Sequence, residues 1–599
     1  MNADISAFPP IPQNSTEQQW GPVRLSDGRF RFQLWAPAED EIRLMLDGTD
    51  LAMMKTDDGW HRVESKADYG AVYGFMLPDG KVVADPASRF QLEALDGPSL
   101  LVDPAGYTWL DHDWRGRPWE EAVIYEIHVG TFTEEGTFRA AISKLKRLAD
   151  LGITAVELMP LAHFPGSRGW GYDGVLQFAL HNAYGTPDNL RAFVDAAHAL
   201  GLMVFLDVVY NHFGPEGNYL GRYAPGFFRT DVDTPWGAAI AYEKAEVRAY
   251  FVENVLYWLN EFHLDGLRFD AIDQILDGSD THILEQIAQS VRTSIIDRHV
   301  HLITENPANG TDLMAERPGG RLYKADWNDD FHHAMHVAVT GEGGGCFEPF
   351  EDDPWHKLRH VLAHGYLKPG KAIVSDDPPP SESLPPTAFI HFLQNHDQIG
   401  NRALGDRLHL GLDRHLYRSL TAILLLSPQI PLLYMGDEHL SLRPFHFFAD
   451  YDGEIAKAVR KNRPKEAANF GGIPEGYGEE DIPDPNQYQT FLESKLDWSE
   501  ADTLGGGAWA QLIHELISIR RETIIPLLSN AAGYAGTIID APDKCVFIDW
   551  KLGESILQLR SNLSTEDAAL PVGLGDRIYP QSDVEEGALR AATVQVFVR

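Results

Sequence analysis

The sequence predicts an α/β protein built on a (β/α)8 TIM barrel, with an antiparallel β-sandwich before it and an antiparallel β-domain after it. Three observations lead there. The first ~115 residues alternate apolar and polar side chains between Asp-Gly turns. From about Trp119, short apolar runs alternate with helical patterns, and eight such runs occur. Near the C-terminus the pattern returns to strands. The expected division is 1–115, 116–530 and 531–599.

In the first part Phe30, Phe32 and Leu34 alternate with Arg31 and Gln33, and Ile42, Leu44 and Leu46 with Arg43 and Met45. Val72 to Leu77 is a third run, and turns are expected at Gly28, Gly48, Gly59 and Gly80. The eight barrel runs are Val123–Val129, Ala155–Pro160, Met203–Val209, Gly266–Ala271, His301–Glu305, Leu322–Trp327, Phe389–Asn395 and Pro431–Met435. Between the first two, Phe138, Ile142, Leu145 and Leu148 mark a helix capped by Thr137 and stopped by Gly152. The next helix carries Leu190, Phe193, Val194 and Ala197, opened by Asp188 and closed by Gly201; Val247 to Phe262 carries the third. Asp376–Pro386 reads as a loop, and residues 453–490 are too long for a bare connection and suggest a lid. Ala508–Leu528 reads as the last barrel helix. Val546–Trp550, Ile556–Leu559 and Thr593–Val598 are strands of the last part.

The formal net charge of −38 repels phosphate backbones and anionic lipid, so neither nucleic acid nor a membrane is an expected partner. A neutral sugar is compatible with it. Two distant cysteines, Cys346 and Cys545, support neither a disulfide framework nor a cysteine zinc site. Met1 to Asp4 shows no signal-peptide pattern, and the apolar stretch Leu420 to Leu433 is broken at Ser427-Pro428-Gln429. The expected location is cytoplasmic, which makes the sequon at Asn14 idle.

Chemistry in such a barrel sits where the strands end. Here strand three ends in Asp207-Val208-Val209-Tyr210-Asn211-His212. Strand four is Gly266-Leu267-Arg268-Phe269-Asp270, strand five ends in Thr304-Glu305-Asn306, and strand seven in Gln394-Asn395-His396-Asp397. Four strands thus bring a carboxylate to one mouth, an arrangement too costly for a core without a purpose. Arg268 and Asp270, two apart, share a face, and the guanidinium is expected to lower the Asp270 pKa. An ionised Asp270 suits a nucleophile for glycosyl transfer. Glu305, beside other acids, is expected to keep its proton and donate it to a leaving oxygen. Asp397 and His396 would hold sugar hydroxyls.

These four segments, in this order, resemble the signature regions of the α-amylase family of glycoside hydrolases. The resemblance implies that Asp270 is the nucleophile, Glu305 the acid/base and Asp397 the third carboxylate. It places Asp207 and His212 around the subsite of the reacting sugar, and Asn211, on the same strand end, is a further candidate for substrate binding. Further segments, Tyr125 to Phe132, Trp170 to Val175, Thr234 to Ile240, Leu393 to Arg402 and Ser494 to Trp498, resemble the members that cut the α-1,4 bond beside a terminal trehalose. The implied substrate is maltooligosyl trehalose or another α-glucan; no cofactor and no metal are implied, and no oligomeric state. Rival readings within the family are a branching or a debranching enzyme. A reading of another class is a glucan-binding protein that kept the barrel without its chemistry.

Rings stack on the apolar faces of sugars, so Tyr172, Trp170 and Trp236 are candidate substrate contacts; core packing is the alternative for each. His332, His333 and His336 could place two ligands on one helix face, but the zincin glutamate is missing, and a polar face along the cleft is expected instead. Gly343-Gly344-Gly345 and Pro369-Gly370-Lys371 lack phosphate-loop spacing.

Overall fold

A computed structural model describes residues 18–93, 95–368, 370–375, 377–580 and 587–599. Met1 to Asp4, the sequon at Asn14, Pro369 and Asp376 lie outside the described residues.

The N-terminal part holds two antiparallel sheets. Phe30–Trp35 pairs with Trp60–Ser65 in one, and Arg43–Leu46 with Val72–Met76 in the other. Their apolar faces meet, with the Phe32 ring 5.2 Å from that of Tyr73. The turn glycines 28, 48, 59 and 80 all take positive φ, the region where a side chain would be strained. The sandwich docks on the barrel helix Ala245–Glu261, where Glu253 accepts from the N–H groups of Gln19 and Trp20 at 2.8 and 3.0 Å.

Eight parallel strands close into a barrel in chain order. They are Ile124–Ile127, Ala155–Leu158, Met203–Val208, Gly266–Phe269, His301–Glu305, Ala325–Trp327, Phe389–Phe392 and Ile430–Tyr434. Closure is made by the pairing of Ile124 with Leu432. Each strand falls on one of the eight apolar runs. The barrel floor is apolar, filled by Ile124, Phe205, Ile303, Ala325, Phe392 and Leu432. Above it the inward positions turn polar, and this change of layer makes the site.

The first helix, Phe138–Leu151, is capped as expected: the Thr137 hydroxyl accepts from the Ala140 N–H at 3.3 Å, and Gly152 closes it at φ +100°. The second corrects the expectation. It runs Pro187–Ala199 with Thr186 as N-cap, so Asp188 lies inside the first turn, where it pairs with Arg191 at 2.7 Å. Proline at the first helical position, with its fixed φ, moves the start forward. Segment 453–490 contains a helix, Gly453–Ala467, whose buried Arg463 donates to the Gly400 carbonyl at 3.0 Å. That bond ties the segment to the short helix His396–Gly400, which bears Asp397. The last barrel helix starts at Leu504, earlier than expected, and reaches Leu528 through Arg520.

The C-terminal sheet has five strands, among them Cys545–Leu552, Ser555–Asn562 and Thr593–Val598. It packs on helix Pro354–His364, where Arg359 donates to the Cys545 carbonyl at 2.8 Å. Among the described residues no helix is long and apolar enough to cross a membrane.

Candidate active site

Arg268 is the hub. It is fully buried, and its guanidinium touches three carboxylates: Asp207 at 2.5 Å, Asp270 at 3.0 Å and Glu305 at 2.8 Å. Trp327 covers it, with the guanidinium 4.1 Å from the ring centre. Strand register explains the meeting. Asp207 and Arg268 are direct partners on adjacent parallel strands, and Asp270 follows on the same face as Arg268.

Asp270 is held from two more directions. Asn211 donates to its carboxylate and to its backbone carbonyl, each at 2.9 Å. Glu305 accepts from the Ala271 N–H at 2.9 Å. Ala271 stands at φ +39°, where an alanine rarely sits, and that turn aims its N–H at Glu305. The residue following Asp270 thus grips Glu305, so both carboxyl groups are fixed to one guanidinium and one turn.

Burial pushes the Asp270 carboxyl up to about 6, with Arg268 and Asn211 opposing and Asp207 and Asp397 assisting. This corrects the expectation of a lowered value: the guanidinium acts downward, but desolvation is larger. Burial raises Glu305 to about 7, against Arg268, and the charges of Asp270 and Asp397 add to the rise. One group is therefore poised to be ionised and its neighbour protonated near neutrality.

On the seventh strand's exit, Asn401 donates to Asp397 at 3.0 Å and the Asn395 side chain accepts from the Asp397 N–H at 2.9 Å. His396 pairs with Glu126 at 2.5 Å and lies 3.6 Å from Asp397. Burial alone would lower His396, but the charges of Glu126 and Asp397 hold it up, to about 9, so it is an imidazolium. His212 is the opposite case: burial lowers it to about 4, and it is neutral. Its ring bonds the Asn211 amide oxygen and stacks under Trp236, centres 5.0 Å apart.

Tyr172 donates to Asp207 at 2.6 Å and stacks on His396 at 5.1 Å. Trp236 tips a hairpin of Phe228–Thr234 and Gly237–Ile240 and is 48% exposed, a ring open to a ligand. Trp170 is buried instead. Its indole N–H donates to the His446 carbonyl at 2.9 Å, and the ring packs edge-on to His396. It braces the site from behind.

Residues 106–224 match the α-amylase catalytic domain. Malto-oligosyltrehalose trehalohydrolase of Deinococcus radiodurans is 41% identical, over 84% of this chain and 82% of that protein. The enzyme of the same name from Saccharolobus solfataricus is 39% identical, over 83% and 86%. This chain belongs to the malto-oligosyltrehalose trehalohydrolase family, within the α-amylase family. A crystal structure described as a putative α-amylase from Salmonella typhimurium superimposes with a TM-score of 0.92 at 46% identity, covering 97% of this chain and 99% of that one.

In this trehalohydrolase-family chain the structure gathers Asp207, Asn211, His212, Arg268, Asp270, Glu305, His396, Asp397 and Tyr172 at one barrel mouth, and sets Trp236 on its rim. Sequence reasoning missed Glu126, the anchor of His396, and Glu157. Glu157 lies beside Glu126 in the strand register, buried, with neither oxygen bonded among the described residues. Burial, then Glu126 and Asp207, raise its pKa well above the usual range, so it is a neutral acid. Asp329, at the start of helix Asp329–Thr340, was missed too; burial, then Glu305 and Asp397, raise it strongly. The first two left only a weak signal: a lone glutamate inside a short barrel strand without another charge. His332 and His336 line a side pocket rather than the carboxylate cluster. No group of three His, Cys, Asp or Glu among the described residues is arranged to hold a metal.

Proposed function

We propose that the protein is a retaining glycoside hydrolase that cuts the α-1,4 bond next to the terminal trehalose of maltooligosyl trehalose and releases trehalose. The observation that carries this reading is the Arg268 hub. One guanidinium touches Asp270 and Glu305 together, while burial sets their proton affinities on either side of a usable pair. The names of the relatives supply the substrate.

In this reading the Asp270 carboxylate attacks the anomeric carbon. Glu305 gives its proton to the departing glycosidic oxygen, the carbon–oxygen bond breaks, and a glycosyl ester forms on Asp270. Glu305, now ionised, takes a proton from water, and the resulting hydroxide equivalent opens the ester with a second inversion. Asp397 and the His396 imidazolium hold hydroxyls of the reacting sugar. Tyr172 keeps Asp207 in place, and Trp236 offers an apolar ring face beyond the cut. The retaining course asks for a carboxyl separation of about 5–5.5 Å. The same reading retains the three-part division at about residues 115 and 530.

The test is chromatography of the products from maltooligosyl trehalose, with maltohexaose and amylose as controls. Wild type is expected to release trehalose, and Asp270→Asn to release essentially none while still binding substrate. New α-1,6 links would make it a branching enzyme, and cleavage of α-1,6 substrates a debranching one. Full turnover by Asp270→Asn would end the assignment of Asp270. No turnover of any α-glucan by wild type would leave a glucan-binding protein.

A further inference from the structure

Asp397 is carried by a helix of five residues, His396–Gly400. So short a helix has few bonds of its own and takes its position from what holds its ends. The barrel holds the first end. Glu126 of the first strand accepts from the His396 N–H at 3.2 Å, and the Asn395 side chain accepts from the Asp397 N–H at 2.9 Å.

The other end is held from outside the barrel. Carbonyls at the end of a helix have no partner within it. Arg463, in helix Gly453–Ala467 of the long segment after the eighth strand, supplies one. Its Nη2 donates to the Gly400 carbonyl at 3.0 Å and lies 3.4 and 3.5 Å from the Asn401 and Arg402 carbonyls. The side chain is buried, which an arginine accepts only with fixed partners. Its Nη1 pairs with Glu466 at 2.8 Å, a half-exposed carboxylate.

The held turn leads directly to Asp397. Asn401 presents its carbonyl to Arg463, and its side-chain amide donates to the Asp397 carboxylate at 3.0 Å. The Asn401 N–H donates to the Asp397 carbonyl, also at 3.0 Å. Trp170 stands hard against the same turn: a Cβ on Gly400 would come within 2.1 Å of its ring. Trp170 packs on Phe447, ring centres 5.0 Å apart, and the Arg463 guanidinium lies over Phe447 at 5.1 Å. Just past the turn, Ala403 is buried with Ala467 and Ile482 of the long segment.

We propose that Arg463 is a positioning residue for the reaction: it fixes the turn from Gly400 to Arg402, and Asn401 passes that position on to Asp397. The long segment thereby braces the site from behind. The proposal rests on the reading of Asp397 as a group that holds the reacting sugar.

The test applies two measurements to the full-length protein. One is kcat and KM for release of trehalose from maltooligosyl trehalose. The other is hydrogen exchange of the backbone amides of residues 396–402. Arg463→Met keeps an apolar stem on Phe447 and leaves only the half-exposed Glu466 unpaired; thermal unfolding checks that it folds, and Arg463→Lys carries the same comparison if it does not. Arg463→Met is expected to lower kcat about 10–100-fold while KM changes less than about threefold, because a misplaced group costs rate. It is expected to speed exchange in 396–402 and not in the strand Gly266–Phe269. Arg463→Lys is expected to recover part of both losses. Asn401→Ala is expected to lower kcat as well, and the double variant with Arg463→Met to lose less than the product of the two. Lys457→Met removes an exposed ion pair with Glu454 from the same helix and is expected to match wild type in both measurements.

Three results would overturn the proposal: unchanged exchange in Arg463→Met, a loss confined to KM, or losses that multiply in the double variant. The exchange measurement needs no turnover. A wild type that releases no trehalose would sink the substrate reading of the site, and exchange alone would then decide whether Arg463 holds the turn.

Discussion

Ala271 donates its backbone N–H to Glu305 at 2.9 Å from a left-handed turn at φ +39°. The strained residue is the one directly after Asp270, so the turn that presents one carboxyl group also anchors the other. Strain of this kind costs about 1–3 kcal/mol and persists only where surrounding contacts enforce it.

Ala271→Gly is therefore expected to raise stability by up to about 1 kcal/mol, because glycine takes positive φ without penalty. Ala271→Val is expected to lower it by about 1–3 kcal/mol, since a β-branched side chain tolerates that region least. Urea unfolding of the two variants checks the order. A valine variant as stable as wild type would mean that the turn carries no strain.

Arg268 balances three carboxylates, so its loss exposes all three. Arg268→Ala is expected to cost about 3–5 kcal/mol of stability, the usual penalty for breaking a buried pair. It also removes the charge that opposes the rise of Asp270 and Glu305. Turnover is expected to fall at least about 100-fold, because the nucleophile is then protonated at neutral pH. Arg268→Lys restores the charge but not the fork that reaches several partners, so it is expected to recover only part. Full recovery with lysine would show that charge alone matters here.

The reaction needs Asp270 ionised and Glu305 protonated. With Asp270 raised to about 6 and Glu305 to about 7 by burial, kcat/KM is expected to rise with pH through the first and fall through the second. The two apparent values belong to the interacting pair rather than to either residue alone. Initial rates across pH give the profile. No alkaline fall near neutrality would remove Glu305 as the proton donor.

Much of this was legible in the residues. Acids that terminate apolar runs cannot be explained by packing, and Asp207, Asp270, Glu305 and Asp397 stood out for that reason. The Arg268–Asp270 contact followed from a two-residue spacing on a strand. Burial was not legible, and it reversed the direction of the Asp270 shift. Glu126 and Glu157 were hidden inside Ile124–Ile127 and Ala155–Leu158, where a single acid reads as an interruption. Which side a strand residue faces is fixed only once the barrel closes. Trp170 and Tyr172 looked alike in sequence, but closure buried one ring and left the other beside the carboxylates.

Glu157 provides the last expectation. Burial raises its folded pKa, so the native state keeps a proton that the unfolded chain releases above about pH 4.3. As pH rises past that value the unfolded state gains the ionised form, and native stability falls by up to about 1.4 kcal/mol per pH unit until the folded pKa is reached. Glu157→Gln has nearly the same shape and no proton to lose. Its stability relative to wild type is expected to be greater at pH 8 than at pH 5, measured by urea unfolding in matched ionic strength. The difference isolates this group, since every other titrating residue is shared by the two proteins. Equal differences at the two pH values would mean that Glu157 ionises normally in the native barrel, with a partner that burial alone does not supply.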